Sequence, residues 1–132
     1  MANRIRQSLR ADETVGMTVL IVDDHPSFRA SARTLLESEG YQVVGEAENG
    51  ADAVKAAQEL HPDLVLLDVQ LPDIDGFKVA EQLRRLVDPP AVVLTSSRDR
   101  ADYGPCINVC GACGFVPKAD LSGAAIAALL VA

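Results

Sequence analysis

The sequence predicts an α/β fold in which a five-stranded parallel sheet is covered by helices on both faces. Three observations carry this expectation. Short apolar runs recur along the chain, at Thr18–Val22, 41–47, Leu64–Asp68, 91–95 and Gly114–Pro117. Segments with helical spacing of apolar residues separate them. Glycine, proline and asparagine fall at the junctions. Apolar runs without polar alternation suit strands buried on both faces, as in a parallel sheet. Right-handed crossovers then bring all the strand C-termini to one edge.

The elements follow in order. Residues 1–16 are polar and aperiodic and read as a flexible tail, leaving 17–132 as one domain. Thr18–Val22 is the first strand and runs into Asp23-Asp24. Pro26 stands where a helix can begin, because its missing N–H costs nothing there. Phe28, Ala32, Leu35 and Leu36 then recur at helical spacing as far as Gly40. Residues 41–47 read as the second strand. Asn49-Gly50 opens a helix that turns Val54, Ala57 and Leu60 inward. Leu64–Asp68 is a third strand, again ending in aspartate. A helix over 76–86 buries Phe77, Ala80 and Leu83. Pro89-Pro90 breaks the chain before the fourth strand, 91–95. The weakest pattern lies in 98–113, where Gly104-Pro105 interrupts any helix. Gly114–Pro117 is a short fifth strand. The last helix, 121–131, is rich in alanine; its plain reading is packing on the sheet, and a homodimer face is the alternative.

Composition excludes several classes. With 132 residues and 48% apolar content the chain can bury one core, so it is not a disordered segment. The formal net charge of −7 opposes a phosphate backbone, so direct nucleic-acid binding by this chain is not expected. The longest apolar stretch, 121–132, is too short for a bilayer, which needs about 20 residues. Arg4, Arg6 and Arg10 precede no apolar core of a secretory signal. The cysteines number three, crowded into 106–113, which fits a reducing cytoplasm better than a secreted disulfide framework.

The chemistry-bearing residues sit at strand ends. Asp23 and Asp24 follow the first strand, Asp68 ends the third, Thr95 ends the fourth and Lys118 follows the fifth. In a doubly wound sheet that edge is where ligands bind. Carboxylates brought together repel and resist ionisation, and a hard cation relieves them. Mg²⁺ suits a few carboxylate oxygens completed by water and phosphate. One carboxylate left free to attack could form an acyl phosphate. A lysine and a hydroxyl at the same edge could receive the phosphoryl oxygens.

Val22-Asp23-Asp24-His25, Leu67-Asp68-Val-Gln-Leu-Pro72-Asp-Ile-Asp75-Gly76, Leu94-Thr95-Ser96 and Gly114-Phe115-Val-Pro-Lys118 resemble, in this order, the receiver domains of bacterial two-component response regulators. The match covers about residues 18–131. It implies a flavodoxin-like, CheY-like fold and a phosphoacceptor rather than an enzyme, capable only of Mg²⁺-dependent self-phosphorylation and slow self-dephosphorylation. Carried over residue by residue, it implies Asp68 as phosphoacceptor and Asp24 as direct metal ligand. Asp23 becomes a water-mediated ligand and the main-chain carbonyl of Gln70 a further one. Thr95 is the switch hydroxyl, Lys118 the phosphoryl contact and Phe115 the aromatic that moves on activation. A sensor histidine kinase is the implied phosphodonor. The run from Val22 to Arg29, with Val43-Val-Gly-Glu-Ala47, is similar to the subgroup with a LuxR/NarL-type helix-turn-helix output domain, which implies regulation of transcription. The chain departs from the family pattern at Ala119, where many receivers have proline, and at Gly104-Pro105.

Other readings compete. Cys106-x3-Cys110-x2-Cys113 has the spacing of an iron–sulfur motif, but free thiols in a helix and its turn explain it more simply. Asp73-Ile-Asp75-Gly76 mimics a phosphatase motif, yet the strand already ends at Asp68, so Asp75-Gly76 reads as a turn or cap. His25 and His61 read as surface histidines. A degenerate receiver acting only as a docking module is the alternative function, and the presence of every expected residue type weighs against it.

Overall fold

The structure, a computed structural model, describes residues 16–130. Its elements are β1 (Thr18–Val22), α1 (Pro26–Ser38), β2 (Gln42–Ala47), α2 (Gly50–Leu60), β3 (Leu64–Asp68), α3 (Gly76–Arg84), β4 (Ala91–Ser96), α4 (Cys106–Val109), β5 (Gly114–Pro117) and α5 (Gly123–Leu130). The strands form one parallel sheet in the order β2-β1-β3-β4-β5, so the doubly wound expectation holds.

Side chains alternate across the sheet. Val19, Ile21, Leu64, Leu66 and Val93 face one way and pack with Ala32 and Leu36 of α1 and Ile126 and Leu130 of α5. Leu20, Val22, Val65, Leu67 and Leu94 face the other way, against α2, α3 and Ile107 of α4. Both faces are covered, which is why these strands carry no polar alternation. Register aligns the functional edge: Val22 pairs with Leu67, Asp68 with Thr95, and Ser96 with Pro117. Asp23 and Lys118 therefore emerge one step beyond the paired residues of β1 and β5.

Several boundaries differ from the sequence reading. β2 starts at Gln42, while Tyr41 turns inward and its hydroxyl donates to the Gly123 carbonyl at 3.0 Å. α3 stops at Arg84 and α5 spans only Gly123–Leu130; Val131 lies outside the described residues. Leu60, expected in the core, is 44% exposed, because the last turn of α2 lies over Gly45 of the edge strand β2. Of the expected tail only Gly16 is described: it adopts φ +82° and donates its N–H to Gly40 at 2.6 Å, so it belongs to the fold. In 98–113, a single turn of 3-10 helix (Arg100–Asp102) and the four residues of α4 replace a full helix. Gly104, at φ +58°, and Pro105 separate the two.

Candidate functional site

The pocket is built where β1, β3 and β5 deliver acids and a lysine to one point. Asp23 is fully buried and Asp68 is 2% exposed, whereas Asp24 is half-buried at the rim. Lys118 Nζ lies 2.6 Å from Asp23 Oδ2 and 3.3 Å from Asp68 Oδ2. The Asp68 contact is a hydrogen bond. The shorter Asp23 contact is poorly angled for one, so Asp23 Oδ2 has a charge beside it but no directional donor. The same ammonium stands 4.5 Å from the centroid of the Phe28 ring, a cation–π contact that fixes it over the acids.

Local backbone explains why the motif spacing is needed. Asp68 Oδ1 accepts from the Gln70 N–H at 3.1 Å, two residues on. The chain then turns through Pro72 and returns, so that Gly76 N–H donates to the Val69 carbonyl at 2.7 Å. A Cβ on Gly76 would run into the backbone of Asp68 and Val69, so only glycine fits there. Asp75 caps α3 by accepting from Lys78 N–H at 2.9 Å, as the cap reading predicts.

Electrostatics follow from burial. Desolvation pushes the Asp68 carboxyl up to about 6; the Gln70 N–H opposes it, the charge of Asp23 adds to it and Lys118 subtracts. Burial by itself would depress the Lys118 ammonium, but Asp23 and Asp68 outweigh it and hold its pKa above the ordinary lysine value.

Three buried oxygens at this edge lack a hydrogen-bond partner: Asp23 Oδ2, Asp24 Oδ1 and Thr95 Oγ1. Orphaned acceptors are costly, so native proteins keep few of them. A carboxylate pair with unsatisfied inward oxygens fits a small hard cation, and the orphaned hydroxyl fits an incoming oxyanion. Asp23, Asp24, His25 and Asp68 offer ligand atoms that all lie within 4.8 Å of one another.

The structure therefore brings together Asp23, Asp24, Asp68 and Lys118. Thr95, fully buried, lies directly across from Asp68 in register. Gln70 contributes its N–H to Asp68. Phe115 is 7% exposed with its ring against Tyr103, 5.8 Å between centroids, so it is already inside the core in this conformation. Lys118 opens a short 3-10 turn, Lys118–Asp120, in which Ala119 stands where many receivers have proline.

Sequence reasoning passed over two residues. His25 is exposed, as read, but its Nδ1 lies 3.0 Å from both Asp23 Oδ1 and Asp24 Oδ1. Its adjacency to Asp23-Asp24 was the available signal. Asp73 accepts from Gly50 N–H at 2.8 Å and Ala51 N–H at 3.0 Å, capping α2 from the β3–α3 loop. No local signal announces that long-range cap. Of the cysteines, Cys106 is exposed, Cys113 half-buried and Cys110 buried with Sγ 3.6 Å from the Ile107 carbonyl.

A sheet edge that gathers negative charge around one strand-end aspartate, with an ammonium beside it, is the arrangement the strand-end motifs predict for a receiver-type signalling domain. The chain belongs to the response regulator receiver domain family, which matches residues 19–128. It is 46% identical over 101 residues to a Bordetella pertussis protein named as a positive transcription regulator of virulence factors, BvgA, covering 76% of this chain and 48% of the relative. It is 34% identical over 113 residues to the Escherichia coli DNA-binding transcriptional activator EvgA, covering 86% and 55%. Among solved structures, the signal receiver domain of a Mycobacterium tuberculosis response regulator, NarL, superposes with a TM-score of 0.75 at 36% identity, covering 86% of this chain and 92% of that one. The chain spans about half the length of these curated relatives. Among the described residues, no helix is long and apolar enough to cross a membrane.

Proposed function

We propose that Asp68 takes a phosphoryl group from the phosphohistidine of a sensor histidine kinase and so switches the domain. The observation that carries this is the buried Asp68 carboxylate, held between the Gln70 N–H and Lys118 and flanked by Asp23 and Asp24. An Asp68 carboxylate oxygen forms the O–P bond while the P–N bond of the donor breaks, its electron pair remaining on the leaving imidazole. Lys118 then shifts its hydrogen bond from the carboxylate to a phosphoryl oxygen, and the Thr95 hydroxyl gains the partner it lacks. A Mg²⁺ ion held by Asp23, Asp24, Asp68 and the Gln70 carbonyl would neutralise the crowded oxygens. Phe115, buried next to this wall, follows Thr95 and completes the switch.

The proposed setting is the cytoplasm, with free thiols. The proposed output is transcription, as the names of the relatives suggest, exerted through a DNA-binding segment other than this acidic chain. Docking without phosphorylation is disfavoured because no expected site residue is missing.

Incubation with a small acyl phosphate and Mg²⁺ tests the reading. The parent protein becomes labelled on Asp68 and Asp68→Asn does not. Comparable labelling of both proteins would refute the assignment.

A further inference from the structure

His25 is the one group in the pocket for which the phosphoacceptor reading has no use. It precedes α1 as its N-cap residue, yet its side chain makes no capping hydrogen bond. Its backbone N–H donates to Asp23 Oδ1 at 2.8 Å, and its ring Nδ1 shares a hydrogen bond with the same oxygen at 3.0 Å. The imidazole is instead turned toward the acids. Nδ1 lies 3.0 Å from Asp23 Oδ1 and 3.0 Å from Asp24 Oδ1.

Those separations have a meaning in coordination geometry. Neighbouring donors of an octahedral ion with bonds of about 2.1 Å are roughly 3.0 Å apart. The Nδ1 atom thus already stands one octahedral edge from an oxygen of each carboxylate. The full donor set, with Asp68, lies within 4.8 Å, so it closes onto such a sphere, about 4.2 Å across, with a small inward shift. Two inward oxygens, Asp23 Oδ2 and Asp24 Oδ1, have no hydrogen-bond donor, and the first belongs to a fully buried side chain. The pocket is therefore unsatisfied from the carboxylate side and faced by a nitrogen from the other.

We propose that His25 is a fourth ligand, a nitrogen donor that makes this pocket prefer a later first-row transition cation such as Co²⁺ over Mg²⁺. This rests on the reading that Asp23, Asp24 and Asp68 hold a divalent cation. Imidazole nitrogen suits transition ions, whereas an all-oxygen site suits Mg²⁺. The ring binds in its neutral form, with the proton on Nε2 and the Nδ1 lone pair toward the ion. Lys118 gives way by keeping its contact with Asp68 and releasing the badly angled one with Asp23.

The test uses the whole chain loaded with Mn²⁺ and read by pulsed electron paramagnetic resonance, which detects directly coordinated ¹⁴N. The chain has 2 histidines, His25 and His61, so the assignment is clean. The parent and His61→Ala show the nitrogen modulation; His25→Ala and His25→Gln lose it. Calorimetry then shows Co²⁺ affinity falling about tenfold in His25→Ala while Mg²⁺ affinity changes by less than about twofold. The exposed ring makes no capping bond, so folding is not at stake. No nitrogen signal in the parent, or a signal that survives in His25→Ala, overturns the proposal. Asp24→Ala separates this failure from a deeper one. If Asp24→Ala abolishes Mn²⁺ binding and His25→Ala changes nothing, only the role of His25 is wrong. If Mn²⁺ binding survives Asp24→Ala unchanged, the cation site itself is wrong.

Discussion

The β1–β3 half of the sheet and the β4–β5 half share the same parallel pairing but differ in what covers them. α1 and α2, of 13 and 11 residues, close over opposite faces of the first half, where β3 is buried throughout and β1 in all but its first residue. In the second half β4 is just as buried, but beside β5 the α2 face has only a turn and the four residues of α4, with Val109 left 67% exposed. The acids sit on the first side: Asp23 and Asp24 follow β1 and Asp68 ends β3, with Lys118 reaching over from β5. Thr95 and Phe115, the response elements of the proposed switch, belong to the β4–β5 half. A pocket must hold its groups still, while a switch must have something that yields.

That contrast can be broken by stability measurements. Leu66→Ala, in the centre of β3, lowers unfolding free energy by about 2–5 kcal/mol in chemical denaturation. Val109→Ala changes it by no more than about 0.5 kcal/mol. Similar losses at both sites would show the two halves to be equally packed.

A second effect belongs to the pocket itself. Without metal, Asp68 keeps its proton more firmly when folded, titrating at about 6 instead of near 3.8. Stability from this group is thus present at pH below the unfolded value and is lost as pH rises through about 6, by at most ~3 kcal/mol. Glu46, held low by Arg33 and Arg29 against the cost of burial, and Asp73 act with the opposite sign in a more acid window. The difference between the parent and Asp68→Asn isolates the term. In chelator, Asp68→Asn is the more stable protein at pH 7 and the advantage fades toward pH 4. An advantage that grew on acidification would reverse the assignment.

Hydrogen exchange sharpens the comparison. Beryllofluoride with Mg²⁺ should change protection most in 95–115, and Thr95→Ala should abolish that change. An effect confined to the surroundings of Asp68 would leave the response side without its relay. A smaller effect concerns the stiff side: Asp73→Ala removes the long-range acceptor for Gly50 and Ala51 N–H, leaves the Asn49 cap in place, and costs about 1 kcal/mol, measured by thermal unfolding with the fold unchanged.

Much of this was readable in the chain. β1, β3 and β4 are apolar runs because both their faces are buried, and register then fixes which strand-end residues meet. The motif residues Asp23, Asp24, Asp68, Thr95 and Lys118 all lie where strand ends put them. Less local features were not readable. Asp73 reaches a helix 22 residues earlier, a contact no window reveals. Leu60 keeps the helical spacing of a core residue, but its turn overhangs the edge strand. The shortness of α4 was foreshadowed by Gly104-Pro105, though not its remaining four residues. His25 was read by its exposure, and what matters is the direction its ring faces.

Asp73 has a consequence for how a signal can leave the pocket. The loop that carries Asp68 is pinned at both ends: Gly76 is locked under the Val69 carbonyl, and Asp73 ties the bend to the start of α2. One wall of the pocket is thus a fixed abutment. Under the proposed switch, a push delivered at Asp68 is spent on the opposite wall, where Thr95 and Phe115 lead to the short turn and α4. The proposed message would then leave in one direction because the pocket is stiff in the other.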